Sequence, residues 1–144
     1  MIKHIICDES NIKIILETVI NVNCKFPDSY WVITDFEIIS VFHGDYSGFG
    51  IEEPCYPADN FQSQIEKNKR VIMSFNELIA LLKDTETVSF GLLFCFEDKS
   101  KIDNEFHPKL GDEIKKLPIN INSLCEISVF EEAIIDIYIK SFNN

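Results

Sequence analysis

The chain has almost no arginine. Arg70 is the single one among thirteen basic residues, against 24 Asp and Glu, and the formal net charge is −11. Such a surface repels phosphate backbones and anionic membranes, since both need clustered Lys and Arg. Neither nucleic acid nor membrane is an expected partner. Long apolar runs are missing too. Ser89 to Phe96 is among the longest, far short of the roughly 20 residues a membrane-spanning helix requires. The opening Met1-Ile2-Lys3-His4-Ile5-Ile6-Cys7-Asp8 is too short an apolar stretch for a signal peptide, and Glu9 follows at once. Cysteines are few, odd in number and widely spaced: Cys7, Cys24, Cys55, Cys95 and Cys125. A disulfide framework usually shows an even count in a shorter chain. A reducing, cytoplasmic location is expected. Scarce arginine with abundant Ile, Asn, Lys and Phe is what an AT-rich genome produces, and points to a bacterial source.

Chemical motifs are missing as well. His4 and Cys7 stand three apart, but no C-x-x-C pair exists for a structural zinc. Gly44-Asp45-Tyr46-Ser47-Gly48 lacks the G-x-S-x-G spacing of a nucleophile elbow. There is no G-x-x-x-x-G-K and no G-x-G-x-x-G, and Gly48-Phe49-Gly50 sits in an acidic neighbourhood, the wrong sign for phosphate. Glu52-Glu53 and Glu131-Glu132 are adjacent, so on a strand they point to opposite faces. No catalytic residue, metal ligand or cofactor is assigned, and the chain is read as a non-enzyme.

A length of 144 residues and 46% apolar content suffice for one core, so residues 1–144 are read as a single globular domain. Lys3 to Cys7 reads as a strand. Asp8, Ser10 or Asn11 caps a helix with Ile12, Ile15, Leu16, Val19 and Ile20 at helical spacing, ending near Asn21 to Asn23. Tyr30 to Phe42 is the clearest strand, with Val32, Thr34 and Phe36 on one face and Trp31, Ile33 and Asp35 on the other. Ser74-Phe75-Asn76-Glu77 is a capping box opening a helix from Phe75 to Lys83. Val88 to Phe96 is almost wholly apolar, as in a strand covered on both faces. Ile102 to Phe106 reads as a further strand. The dense isoleucines of Ala133 to Ile139 favour strand, although Ser128-Val129-Phe130-Glu131 also fits a capping box. The expected fold is α+β: a mainly antiparallel sheet of four to six strands, with two or three helices packed on one face.

One stretch differs from the rest. From Phe26 through Glu66 there is no Lys or Arg. The segment from His43 to Asn60, punctuated by glycine and proline, reads as a long loop. Asp45, Glu52, Glu53 and Asp59 supply charge there, and Tyr46, Phe49 and Tyr56 supply rings. Interfaces take anchors from aromatics and orientation from charge, so these seven residues are the candidate partner-binding site for a basic protein. Alternatively, the rings pin the loop onto the sheet.

In overall character, and in this basic-free stretch, the chain resembles the immunity proteins that bacteria make against polymorphic or contact-dependent-inhibition toxins. The resemblance implies tight binding to one cognate toxin domain, often a basic nuclease, with its active site or an adjacent surface blocked. Two other readings stand beside it. One is a small enzyme or ligand-binding domain whose Cys, His and Asp come together only in the fold. The other is a regulatory or scaffold domain.

Overall fold

The structure, a computed structural model, describes residues 2–40, 61, 64–65, 67–106, 108 and 117–141. Its strands are β1 (Ile2–Ile6), β2 (Tyr30–Ser40), β3 (Arg70–Ser74), β4 (Thr85–Phe96), β5 (Cys125–Phe130) and β6 (Ile134–Ile139). Its helices are α1 (Ile12–Lys25) and α2 (Phe75–Lys83), and a short 3₁₀ turn covers Lys99–Lys101. The strands form one open sheet in the order β1-β6-β5-β4-β2-β3. Every neighbouring pair is antiparallel. The fold is α+β.

Both helices lie on one face of this sheet. On α1 the spacing 15, 19, 22 buries Ile15, Val19 and Val22. Ile20, assigned to the same side by spacing, is exposed. The helix passes the expected stop at Asn21–Asn23 and closes with Phe26 N–H on Val22 O at 2.9 Å, just before Pro27 disfavours further helix. On α2 the capping box is present: Glu77 N–H donates to Ser74 Oγ at 3.3 Å, and Ser74 N–H donates to Glu77 Oε1 at 3.1 Å. A cap of this kind is worth about 1 kcal/mol. Leu78, Leu81 and Leu82 turn inward and join Trp31, Ile33, Leu93, Ile127 and Ile137 in the main core.

A second, smaller core lies on the opposite face. Val32, Leu92, Phe94 and Phe96 are covered there by Ile102, Phe106 and Ile119. The Phe106 ring meets Phe94 and Phe96 edge-to-face at 5.0 and 5.8 Å. Arg70 Nη1 donates to Asp103 O at 2.9 Å and to Phe106 O at 2.8 Å, tying the covering segment to β3. Residues 102–106, expected as strand, are therefore an irregular lid. Ile102 keeps extended geometry, but the chain turns at 104–105 and the segment pairs with no strand among the described residues.

Two further departures are local. Pairing of β2 with β4 slips between Thr34 and Glu37, so Asp35 and Phe36 together oppose Gly91. Asp35 takes φ 45° in this bulge. Phe36 thereby moves from the Val32 face to the Trp31 face and enters the main core, where its ring meets Phe61 at 5.3 Å. The missing side chain of Gly91 is what admits that ring: a Cβ there would lie 2.2 Å from Phe36 Cδ2. At the C-terminal end, Ser128 to Phe130 belongs to β5 instead of opening a helix. Glu131 and Glu132 turn the chain at φ 51° and 65°, and β6 returns from Ile134.

Candidate functional site

Strand register lays the second face of the sheet out in transverse rows. One row crosses all six strands as Ile2, Tyr138, Glu126, Phe94, Val32 and Ile72. Its middle is buried and its two ends are open, Ile2 being 50% exposed. The next row runs His4, Asp136, Ser128, Leu92. The third runs Ile6, Ile134 and Phe130, with the Phe90 ring 5.5 Å from that of Phe130. The lid covers β2 and β4, and the rows lose their cover toward β1. Ile6 is 74% exposed and Phe130 42%. These residues lie far apart in sequence and become one apolar strip only through register.

The strip ends against an acidic corner. Cys7 N–H donates to Ala133 O at 2.7 Å, Ser10 Oγ to Glu86 O at 2.5 Å, and Glu132 N–H to Ser89 O at 2.9 Å. These bonds gather the β1–α1 connection, the start of β4 and the β5–β6 turn at one end of the sheet. Asp8, Glu9, Glu86, Glu131 and Glu132 are all exposed there. The bases nearest to them in sequence are Lys83, three residues before Glu86, and Lys13, in the first turn of α1.

Asn11 makes the corner rigid. It is fully buried, and its amide fills four hydrogen-bond positions. Nδ2 donates to Val88 O at 2.7 Å and Glu132 O at 3.1 Å; Oδ1 accepts from Val88 N–H at 2.9 Å and Thr87 Oγ1 at 3.2 Å. Asn11 is thus the N-cap residue of α1 by backbone position, while its side chain serves the sheet and not the helix. Glu131 and Glu132 sit at consecutive left-handed positions that hairpin turns normally fill with Asn-Gly. Keeping two carboxylates at strained positions is a pattern met at functional sites.

Other titratable groups have structural surroundings. Glu126 is 1% exposed; its carboxylate accepts from Ile119 N–H at 2.6 Å, Asn120 N–H at 2.9 Å and Ser123 Oγ at 2.5 Å. Burial raises its pKa, and these hydrogen bonds pull back against that rise. Cys95 and Cys125 face each other across β4 and β5. Burial pushes the Cys95 thiol up to about 12 and the Cys125 thiol well above the ordinary range, so both are poor nucleophiles. His4 Nδ1 lies 2.5 Å from Asp136 Oδ1 on the open face. Among the described residues no hydroxyl or thiol is hydrogen-bonded to the other nitrogen of that ring, and no three His, Cys, Asp or Glu side chains converge as metal ligands would. A separate open cleft of about 310 Å³ lies between the end of α1 and the start of α2, bordered by Asn23, Asp28, Ser29, Tyr30, Ser74 and Asn76.

The seven residues assigned from sequence to partner binding, Asp45, Tyr46, Phe49, Glu52, Glu53, Tyr56 and Asp59, lie outside the described residues. So do His43 and His107. Sequence reasoning missed the strip and the acidic corner. The adjacent pair Glu131-Glu132 was their one visible trace. Among known proteins, no family model, no curated protein and no solved structure matches the chain.

Proposed function

We propose that the chain is an acidic protein-binding module for a basic protein partner. Its biological role, on this reading, is immunity: it neutralises a cognate nuclease-type toxin domain by direct binding. The observation that carries the reading is the open apolar strip Ile6–Ile134–Phe130 ending against five exposed carboxylates. Apolar side chains supply an anchor that excludes water, while surrounding charge selects a partner of opposite sign and speeds encounter. The segment carrying Asp45 to Asp59 belongs to the same proposal as a second contact.

The test is co-expression with a toxin domain encoded beside the gene. The expected result is restored growth and a complex that survives gel filtration. Charge reversal of Glu131 and Glu132 should weaken that complex about tenfold and flatten its salt dependence. Reversal of Glu52 and Glu53 tests that segment in the same way, through association rate. No protection and no complex with that domain would sink the immunity role. Unchanged affinity and salt dependence in the Glu131/Glu132 variant would remove the sheet face from the site.

A further inference from the structure

Among the described residues the two sheet edges are β1 and β3, and they are not alike. On β3, Val71 and Met73 are buried, Arg70 is tied to the lid, and Ser74 leads directly into α2. On β1 no residue is fully buried. Natural edges are protected by proline, bulges or inward-pointing charge. Among the five residues of β1 there is no proline and the pairing with β6 is regular; Lys3, on the helix-side face, is the one protecting charge, and the open face of the strand carries none that is fixed.

Register shows which backbone groups are open. The Cys7–Ala133 hydrogen bond continues the β1–β6 ladder one residue beyond the Ile6–Ile134 pair. Hydrogen-bonded and non-bonded pairs alternate along an antiparallel ladder. Ile5 and Lys3 share the parity of Cys7, so their amides point at β6. Ile2, His4 and Ile6 therefore direct N–H and C=O away from the sheet. The same three residues place their side chains on the open face, in the rows that lead into the apolar strip.

We infer that β1 is a strand-addition site: a basic, extended segment of the partner pairs with its outer edge and lays alternate side chains along the open face. This deepens the proposed function and rests on it. Main-chain hydrogen bonds supply affinity in such a mode, and the side chains of one face supply selectivity. Charge complementarity selects the occupant. Asp8 and Glu9 follow β1 directly, Asp136 stands across from His4, and the β5–β6 turn adds Glu131 and Glu132. A second copy of the chain is the competing occupant, but it brings the same formal charge of −11 to the same edge.

The experiment uses the intact protein and a nine-residue peptide of alternating lysine and valine. Amide exchange is followed by NMR. Two control peptides are the same sequence N-methylated on alternate residues and an analogue with glutamate for lysine. With the lysine peptide at ten times its dissociation constant, exchange at His4 and Ile6 should slow about tenfold, while Lys3 and Ile5, already bonded, change little. The methylated and acidic peptides should give no such protection. Ile6→Pro keeps an apolar side chain on the strip and removes one outward N–H without touching the β1–β6 ladder, so it should abolish protection while far-UV circular dichroism is unchanged. Equal binding by the methylated peptide would overturn strand addition and leave charge-guided docking standing. No binding of the lysine peptide, with a complex to the toxin domain still formed, would overturn strand addition alone. Failure of both would remove the two together. Concentration-dependent dimerisation without peptide would assign the edge to a second copy and overturn the inference.

Discussion

Val32 and Tyr138 lie in the same transverse row of the sheet, yet they have different surroundings. Around Val32 the sheet is covered twice, by α1 and α2 on one side and by the lid on the other. Toward Tyr138 that second cover thins: Glu126 and Ser128 on β5 are still buried, Tyr138 is half-buried, and Ile2 and Ile6 on β1 are exposed. The covered half holds the rings of Trp31, Phe36, Phe94 and Phe96, all nearly inaccessible. The open half carries isoleucines of the same chemistry that remain exposed. Hydrophobicity alone does not distinguish the halves. The difference is where the chain places its lid.

The largest effect that would break this comparison lies in the covered half, at Gly91. A side chain there overlaps the Phe36 ring, which is buried and packed edge-to-face on Phe61, so ring or backbone must shift. Gly91→Val should cost about 3 kcal/mol, at the upper end for overpacking. Urea unfolding measures it. A cost near zero would mean that the bulge at Asp35 relaxes freely, and that the covered half is less tightly determined than its burial suggests.

Next in size is Asn11, which joins the two halves by bonding Val88 on β4 and Glu132 in the β5–β6 turn. Asn11→Asp replaces the donor with an acceptor facing two carbonyl oxygens. The expected loss is about 2–3 kcal/mol, and Asn11→Ala should be milder because it leaves no buried charge. Val88 N–H should lose exchange protection in both variants. Equal stability for Asp and wild type would show that the two halves are not coupled through this side chain.

These residues also show which features were legible in sequence. The capping box at Ser74 was readable because all of its atoms lie within four residues. Strand β4 was readable because an uninterrupted apolar run needs cover on both faces. The placement of Phe36 was not, since the bulge depends on Gly91, which is distant in sequence. The strand character of Cys125 to Phe130 was hidden by a capping-box pattern at Ser128 that competes with the sheet and loses to its pairing. Residues 102–106 resemble strand only in Ile102 and Phe106, the two apolar residues that cover Phe94 and Phe96; these flank an Asp-Asn-Glu turn that carries no strand signal. The apolar strip was unreadable for the same kind of reason: an exposed isoleucine and a core isoleucine are the same letter, and register alone decides between them.

Glu126 lies at the border of the two halves and offers a pH-dependent probe of the 119–123 segment that holds its carboxylate. Burial raises its folded pKa above the ordinary 4.5. The folded chain therefore holds this proton to higher pH than the unfolded chain does. Its stabilising contribution is complete below the unfolded pKa and is lost as pH rises through the folded value. Glu126→Gln cannot titrate, so the stability difference between wild type and variant should shift against wild type as pH rises from about 4 toward neutrality. A difference independent of pH across that window would mean that the 119–123 segment leaves Glu126 as well solvated as a surface carboxylate, contrary to its burial.

The smallest stability change is expected at the β5–β6 turn, and it should have the opposite sign. Glu131 and Glu132 occupy left-handed backbone positions that Asn and Gly adopt with less strain. The double variant Glu131→Asn, Glu132→Gly should raise stability by about 1 kcal/mol. It also removes two of the five carboxylates beside the apolar strip, so it should weaken binding of a cationic partner and reduce its salt dependence. Thermal unfolding and titration with the lysine–valine peptide separate the two effects. Stabilisation without loss of binding would mean that the strained glutamates have no part in recognition, leaving Asp8, Glu9 and Glu86 to account for charge selection. Stabilisation with loss of binding would show that the open half keeps a cost in stability that the covered half has no reason to bear.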